Sequence, residues 1–350
     1  MNVVIRADAS TEIGSGHIMR CLSLAIYIKN CGGLIYFISS GNNDNLKEKV
    51  ISTGFNFIEI PYSRVQNSFD QNQDANESIS AVKKLKKIDW LVVDHYDLDI
   101  VWEKRMHPYV SKIMVIDDLA NRNHDCDLLL DQNWLFNMEC RYNDKALGSV
   151  HLIGPKYALL RDEFKKSRNI LETRKGNIER VFVFFGGADP ENFTGKVLQV
   201  LTSVEFKRLI VDVVIGEMNP NFDKIVEKVK KRPRTYLHVQ IDSIAKLMSC
   251  ADLSLGAGGS STWERLCVGL PSIVWTLADN QKKFTKDLHE KNLLIWMGDG
   301  KDFSKIELIS KLRQLMISHT SNVLWSDRCM KLVDGMGTKR VYQKMTRLTT

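Results

Sequence analysis

VVIRADASTEIGSGHIMR, residues 3–20, decides how the chain is read. Val3, Val4 and Ile5 open a short β-branched run that ends in polar residues, the pattern of a buried strand. Gly14 and Gly16 then permit a tight turn, and apolar residues recur at helical spacing from Met19 to Asn30. Strand, glycine turn and helix in succession open a parallel α/β unit. The turn is not a dinucleotide fingerprint, because Met19 stands where G-x-G-x-x-G wants its third glycine. A helix start presents unpaired N–H groups to an anion or a polar sugar. Its positive end disfavours a cation, and a neutral His17 there can accept a proton. The alternative is that His17 only caps the helix or satisfies a backbone group.

The same alternation runs outward. LIYFIS (34–39), FIEI (57–60), WLVVDHY (90–96), IMVIDD (113–118) and LLLD (128–131) read as buried strands, with helical spacing at 79–88. After a polar, charged stretch at 161–180, VFVFF (181–185), LIVDVVI (209–215), TYLHVQI (235–241), LSLGAG (253–258), SIVWT (272–276) and LLIWM (293–297) repeat the plan. The expected fold class is α/β, with two doubly wound Rossmann-like domains and a cleft between them. Residues 1–165 form the first domain, 166–180 a linker and 181–350 the second. The segment 323–348 reads as helical and could pack back on the first domain. Ligands of open parallel sheets bind beyond the carboxyl ends of the strands.

Composition sets limits. A chain of 350 residues, 44% hydrophobic, exceeds one ordinary core. The net charge of +7 fits an anionic ligand. It also raises nucleic-acid binding, but no basic stripe interleaved with aromatics accompanies it, and the Lys-rich runs at 83–87 and 228–234 read as solvated faces and loops. Seven cysteines, an odd number without a C-x-x-C pair, point to a reducing compartment. No apolar run approaches the ~20 residues of a membrane helix, and the first residues lack a signal-peptide pattern. A cytosolic protein without a membrane partner is expected.

The polar residues gather after strands. Arg6 and Asp8 precede the Gly14/Gly16 turn. Asp94-His95-Tyr96-Asp97 ends a very apolar strand. Asp117-Asp118 is followed by Arg122, His124 and Asp125, a set whose carboxylates could bind metal, hold basic partners or cap a helix; His124 and Cys126 have no second pair at structural-zinc spacing. In Gly186-Gly187-Ala188-Asp189-Pro190, Asp189 reads as an N-cap with Pro190 at the first helical position. Gly256-Ala-Gly-Gly-Ser-Ser-Thr-Trp-Glu264 suits a diphosphate through amides and hydroxyls. Ser261-x-x-Glu264 also spells a capping box, in which Glu264 only bonds back. Asn280 and Gln281 follow the strand ending at Thr276.

In this order, RADAS-x-x-IGSGHIMR (6–20), VVDHY (92–96), IDDL (116–119), CDLLLDQN (126–133), YALLRDEF (157–164), FGGAD (185–189) and GAGGSSTWER (256–265) resemble the UDP-2,4-diacetamido-2,4,6-trideoxy-β-L-altropyranose hydrolases of pseudaminic acid biosynthesis. That family is itself similar to glycosyltransferase-B enzymes. The resemblance implies metal-independent, inverting hydrolysis of a UDP-sugar at its anomeric C–O bond, releasing UDP, with no cofactor. His17 matches the proposed general base and Tyr96 a residue that places water and sugar. The substrate-binding positions implied are Arg6, Asp8, Gly14, Gly16, Arg20, Asp94, Asp118, Gly187, Gly258, Gly259, Ser260, Ser261, Glu264, Asn280 and Gln281, with Glu264 on the ribose. Trp263 stands where some members carry asparagine. A UDP-sugar-dependent glycosyltransferase is the alternative reading.

Overall fold

The computed structural model describes residues 1–8, 16–40, 44–65, 68–241 and 243–349. The chain forms two compact units, Met1–Arg161 with Met336–Thr350, and Asp162–Gly335. Each is an α/β unit around a parallel sheet.

In the first unit, β1 (Asn2–Ala7), α1 (Gly16–Asn30), β2 (Leu34–Ser40), α2 (Asp44–Ser52) and β3 (Asn56–Ile60) lead to a short hairpin, β4 (Arg64–Val65) and β5 (Ser68–Phe69). Then follow α3 (Gln71–Val82), β6 (Trp90–Asp94), α4 (Ile100–Met106), β7 (Lys112–Ile116), β8 (Leu128–Asp131) and β9 (Val150–Ile153). The sheet order is β3-β2-β1-β6-β7-β8-β9, all parallel. Strands of such a sheet are covered on both faces, and successive side chains point to opposite ones. Val3, Ile5 and Ala7 of β1 join Trp90, Val92, Met114, Ile116, Leu128 and Leu130 under α1. Val4, Leu91, Val93, Ile113, Val115 and Leu129 face the other way, with Trp102 and Met106 of α4. This alternation determines where each strand-end polar residue goes.

The second unit contains α5 (Asp162–Asn169), β10 (Arg180–Phe184), α6 (Phe193–Leu201), β11 (Ile210–Ile215), α7 (Phe222–Lys231) and β12 (Thr235–Val239). It continues through α8 (Ala245–Cys250), β13 (Leu253–Ala257), α9 (Ser261–Cys267), β14 (Ser272–Thr276), α10 (Asp279–Glu290), β15 (Ile295–Asp299), α11 (Lys305–Met316) and α12 (His319–Leu332). Its parallel sheet runs β12-β11-β10-β13-β14-β15. The last helix, α13 (Gly337–Thr349), belongs to the first unit. Its Val341 and Met345 enter the core beside α1, and Trp90 Nε1 donates to Thr349 Oγ1 at 2.8 Å. Gly337 lies against the backbone of Tyr157 and Ala158, where a Cβ would collide.

Several elements differ from the sequence reading. Helical spacing at 79–88 straddles the end of α3, which begins at Gln71 behind an Asp70 N-cap. The buried face of α3 is partly polar, carrying Asp74 and Ser78, so an apolar count starts too late. The helical segment 323–348 is broken between α12 and α13 at Gly335, whose φ is 75°. The N-cap of α6 is Asn192 rather than Asp189, because Asp189 and Asn192 both adopt positive φ before the helix starts. Asp189 still caps it, accepting the N–H groups of Phe193 and Thr194 at 2.9 and 2.8 Å. Within the basic run 228–234, Arg232 is buried, its guanidinium donating to the carbonyls of Leu201, Phe206 and Leu209. Among the described residues all seven cysteines are free thiols, and no helix is long and apolar enough to cross a membrane.

Candidate functional site

Asp94 is the hub of the first unit. It ends β6 on the face covered by α1, in phase with Trp90 and Val92. On α1, His17, Arg20 and Cys21 occupy neighbouring positions of one face, and all reach it. His17 Nδ1 donates to Asp94 Oδ1 at 2.6 Å. Arg20 donates through Nε to Oδ2 at 2.7 Å and through Nη2 to Oδ1 at 2.6 Å. Cys21 Sγ lies 3.4 Å from Oδ2. Burial alone would raise the Asp94 pKa, but Arg20 and His17 hold it well below the usual carboxylate range. An ionised Asp94 accepts only, so the His17 proton sits on Nδ1 and leaves Nε2 to accept one. Arg20 Nη1 also reaches Asp118 Oδ2 at 3.2 Å, and Tyr96 OH donates to Asp118 Oδ1 at 3.0 Å. The Tyr96 ring meets the His17 ring edge-on, centroids 4.6 Å apart. His17, Arg20, Asp94, Tyr96 and Asp118 thus form one connected cluster beyond the ends of β6 and β7.

Arg6 and Asp8 form a separate network on the opposite face. Arg6 is 0% exposed and its guanidinium is committed to Asp8, to Asp74 Oδ2 at 2.6 Å and to Ser40 Oγ at 3.1 Å. Arg6, expected from the sequence at the substrate, is even-numbered in β1, faces α3, and holds two carboxylates in place. Asp8 accepts further hydrogen bonds from Ser39 Oγ, Ser40 N and Ser40 Oγ. His95 Nδ1 accepts the N–H of Asp97 at 3.1 Å, so Nε2 carries the proton and donates to Asp8 Oδ2 at 3.0 Å. The Asp94-His95-Tyr96 stretch is therefore pinned from both faces of the sheet.

A third buried group supports Asp118 from behind. Asp117 points away from α1 and accepts from Arg122 Nη2 at 2.7 Å and Ala120 N at 2.9 Å. His124 donates through Nδ1 to Glu103 Oε1 at 2.7 Å, and its Nε2 lies 3.8 Å from Asp117 Oδ2. Burial would lower the His124 pKa, but the Asp117 and Glu103 carboxylates outweigh it and raise the value to about 9. A raised folded-state pKa gives stability that is fully present below the unfolded value of about 6.5 and is lost as pH rises through the folded value. Stability is expected to fall by about 2–3 kcal/mol between pH 6.5 and 9.5 through this group. Denaturant unfolding across that range checks this: His124→Gln should flatten the curve, and an unchanged slope would refute the assignment. Beside it, Asp131 at the end of β8 pairs with Arg141, whose Nη2 donates to Asp118 O at 3.0 Å. Burial pushes the Asp131 pKa up to about 7 despite that partner.

In the second unit the loops after β10, β11 and β13 carry the glycines. Gly187 and Gly216 approach so closely that a Cβ on Gly216 would lie 2.9 Å from Gly187 O. Gly216 N donates to that carbonyl at 2.9 Å. In the 256–264 turn, Gly258 N donates to Trp275 O at 2.9 Å, so this amide is spent on the sheet and not on a ligand. Thr262 N and Trp263 N close the first helical turn on Gly259 O and Ser260 O. The amides of Gly259, Ser260 and Ser261 are left as the turn's donors. The N-cap of α9 is Ser260, without a side-chain cap bond, and Ser261 Oγ accepts from Arg265. A capping box on Ser261 requires the helix to start one residue later than it does. Glu264 is half-buried, whereas Trp263 is fully buried against Phe284. Gln281 Oε1 accepts from Leu277 N at 2.9 Å, and its amide nitrogen faces Gly259. Asn280 is exposed at the start of α10.

Gly16 begins α1, while Gly14 lies outside the described residues. Sequence reasoning passed over Asp74, His95, Asp131, Arg141 and Arg265 as individual residues. His95 and Asp131 stand at strand ends and Arg265 follows a turn already singled out, whereas Asp74 and Arg141 lie outside every stretch that the sequence marks. Among the described residues no group of three or more His, Cys, Asp and Glu side chains is arranged to hold a metal ion.

No protein-family model matches the chain. The chain is 28% identical over 254 residues to the UDP-2,4-diacetamido-2,4,6-trideoxy-β-L-altropyranose hydrolase of Campylobacter jejuni, covering 71% of this chain and 82% of that protein. It is 25% identical over 345 residues to the spore coat polysaccharide biosynthesis protein SpsG of Bacillus subtilis, covering 97% and 96%. An uncharacterized protein of Methanocaldococcus jannaschii is 26% identical over 302 residues; the match covers 83% of this chain and 59% of that protein, less than two thirds of its length. Among solved structures, MurG of Acinetobacter baumannii superposes with a TM-score of 0.69 at 12% identity, over 99% of this chain and 100% of that one. The structure of LpCGTa in complex with UDP gives 0.66 at 14% identity, over 100% and 99%. The fold is that of glycosyltransferase-B structures, two Rossmann-like parallel-sheet units.

Proposed function

We propose that the chain is an inverting hydrolase of a UDP-linked diacetamido-trideoxy sugar of surface-polysaccharide or nonulosonic acid biosynthesis. The observation that carries this reading is the Asp94–His17 pair at the end of β6. Asp94 fixes the His17 tautomer by accepting from Nδ1, and the free Nε2 takes a proton from water. That water attacks the anomeric carbon, the C–O bond breaks, and its electron pair leaves on the β-phosphate oxygen of UDP. Inversion requires the base and the leaving group on opposite faces of the sugar. UDP is a competent leaving group, so a strong general acid is not needed. Amides of Gly259, Ser260 and Ser261 hold the growing charge, and Glu264 grips the ribose. Tyr96 and Asp118 place the sugar and water, and Arg20 keeps Asp94 and Asp118 in register. The distant relative from Campylobacter jejuni, a hydrolase of such a UDP-sugar, supports the same chemistry.

Whole-length likeness to glycosyltransferase structures favours a second reading, in which a sugar or lipid hydroxyl replaces water. One experiment separates them. The purified protein is incubated with UDP-linked diacetamido sugars in oxygen-18 water without an acceptor. Equal amounts of UDP and free reducing sugar are expected, with label at the sugar's anomeric carbon. Label in UDP refutes attack at carbon, and turnover only after an acceptor is added establishes the transferase.

A further inference from the structure

Asp131 is a buried carboxylate that the proposed chemistry leaves unused. It is 0% exposed at the end of β8. The β7–β8 register runs to Ile116 and Leu130 and is closed by Asp117 N on Leu130 O at 3.0 Å. Beyond that point the carbonyls of β7 are held by side chains. Tyr142 OH donates to Asp117 O at 2.9 Å, and Arg141 Nη2 donates to Asp118 O at 3.0 Å. Both donors follow the short turn Met138–Cys140, and both return to Asp131. Arg141 Nη1 donates to Asp131 Oδ2, and Tyr142 OH lies 3.3 Å from the same oxygen. Asp131 Oδ1 accepts from Asn133 N at 2.8 Å. One carboxylate thus ties residues 141 and 142 to the main chain at 117 and 118.

Asp118 is where this brace meets the candidate site. Its side chain accepts from Tyr96 OH on Oδ1 and from Arg20 Nη1 on Oδ2. A shift of the Asp118 main chain moves both bonds, and with them the Tyr96 ring that meets His17 edge-on. A buried ion pair is often no more stabilising than apolar side chains of similar volume, so the Asp131–Arg141 pair is better explained by what it fixes. The charges around Asp131 are Asp117 and Asp118 beyond β7 and Arg141 beside Tyr142, while on β9 His151 meets the Tyr142 ring. Arg20 and Tyr96 reach the group through Asp118. Burial, aided by the Asp118 and Asp117 carboxylates, outweighs Arg141 and puts the change of charge at about 7. A neutral Asp131 gives up the charge-assisted bond to Arg141, so the brace is complete above that pH and relaxes below it.

We propose that Asp131 is a positioning residue which, through Arg141, holds the main chain of Asp118 and so keeps the Tyr96–Asp118 pair set against His17. The inference rests on the sugar-side reading of this cluster given above. It assigns part of the alignment of the site to a side chain that touches neither sugar nor water.

Steady-state kinetics of the full-length protein and its Asp131→Asn, Arg141→Met, Arg141→Lys and doubly substituted Asp131→Asn/Arg141→Met variants test this, with a UDP-linked diacetamido sugar between pH 5.5 and 8.5. At pH 8 each neutral single variant is expected to lower kcat about 10–100-fold through misplacement alone, with KM and UDP affinity changed by less than about threefold. The double variant should be no slower than the singles, because the two residues act as one unit. Arg141→Lys should recover part of the rate. Below pH 7 the wild-type kcat should fall with one more proton than that of Asp131→Asn, while both keep the dependence due to His17. Circular dichroism melts identify folded variants, and the partly exposed Arg141 carries the test if Asp131→Asn does not fold. Folded single variants with wild-type kcat, or losses that add in the double variant, overturn the inference and leave the hydrolase reading intact. A wild-type protein that turns over no UDP-sugar, with or without an acceptor, overturns the reading on which it rests.

Discussion

His17→Ala is expected to lower kcat by about 10²–10⁴-fold, the usual contribution of a positioned general base, with UDP affinity unchanged. The size of the effect follows from the geometry. Asp94 accepts the Nδ1–H of His17, and the edge of the Tyr96 ring packs against the imidazole. The ring is thus fixed in one orientation before substrate arrives. Its alanine replacement removes the proton acceptor but no group assigned to the nucleotide. His17→Asn would keep a donor toward Asp94 while losing the basic nitrogen, so it should be nearly as slow as His17→Ala. Steady-state rates with a UDP-linked diacetamido sugar, together with calorimetric titration of UDP, check this. An alanine variant with near-wild-type kcat removes His17 from the mechanism, and a lost UDP affinity would recast it as a nucleotide ligand.

The second large effect is on stability. Asp94→Ala should destabilise the protein by about 3–5 kcal/mol, because breaking a buried pair leaves one charge uncompensated. Arg20 is that charge, buried on α1 and holding both Asp94 oxygens. Asp118, the other acid it reaches, lies farther away at 3.2 Å and already accepts from Tyr96. Pairing Asp94→Ala with Arg20→Leu should recover a substantial part of the loss, since the stranded cation is then gone. Denaturant unfolding of the two single variants and the double variant forms the cycle. Strict additivity of the two losses would show that Arg20 and Asp94 do not stabilise each other in the fold. Activity should be lost in all of them, which separates this result from the His17 variants, where stability is expected to stay close to wild type.

Much of the architecture was legible because buried parallel strands are short, β-branched and end in polar residues. β1, β2, β3, β8 and β14 fall where the apolar runs end. β9, with the sequence VHLI, was passed over, since it is an edge strand with a half-exposed burial pattern. α3 was misplaced because its buried face includes Asp74, whose partners Arg6 and Trp102 lie elsewhere in the chain, and Ser78, which donates to Asp74. The turn at 256–264 was recognised, yet which of its amides remain for a ligand depended on Gly258 pairing with Trp275.

By itself the sequence determined a parallel α/β chain, the glycine turns, and the rule that polar residues collect at the carboxyl ends of the strands. Those features depend on neighbours a few residues apart, which a linear pattern records. Only the tertiary structure decided which polar residues act together. Arg6 and Asp94 both looked like substrate ligands, but alternate side chains point to opposite faces of a sheet. Arg6 faces α3 and is consumed by Asp74, 68 residues away. Asp94 faces α1 and gathers His17 and Arg20, 77 and 74 residues away. The helix that covers each face is chosen by packing of the whole unit, and that choice divides scaffold from candidate chemistry.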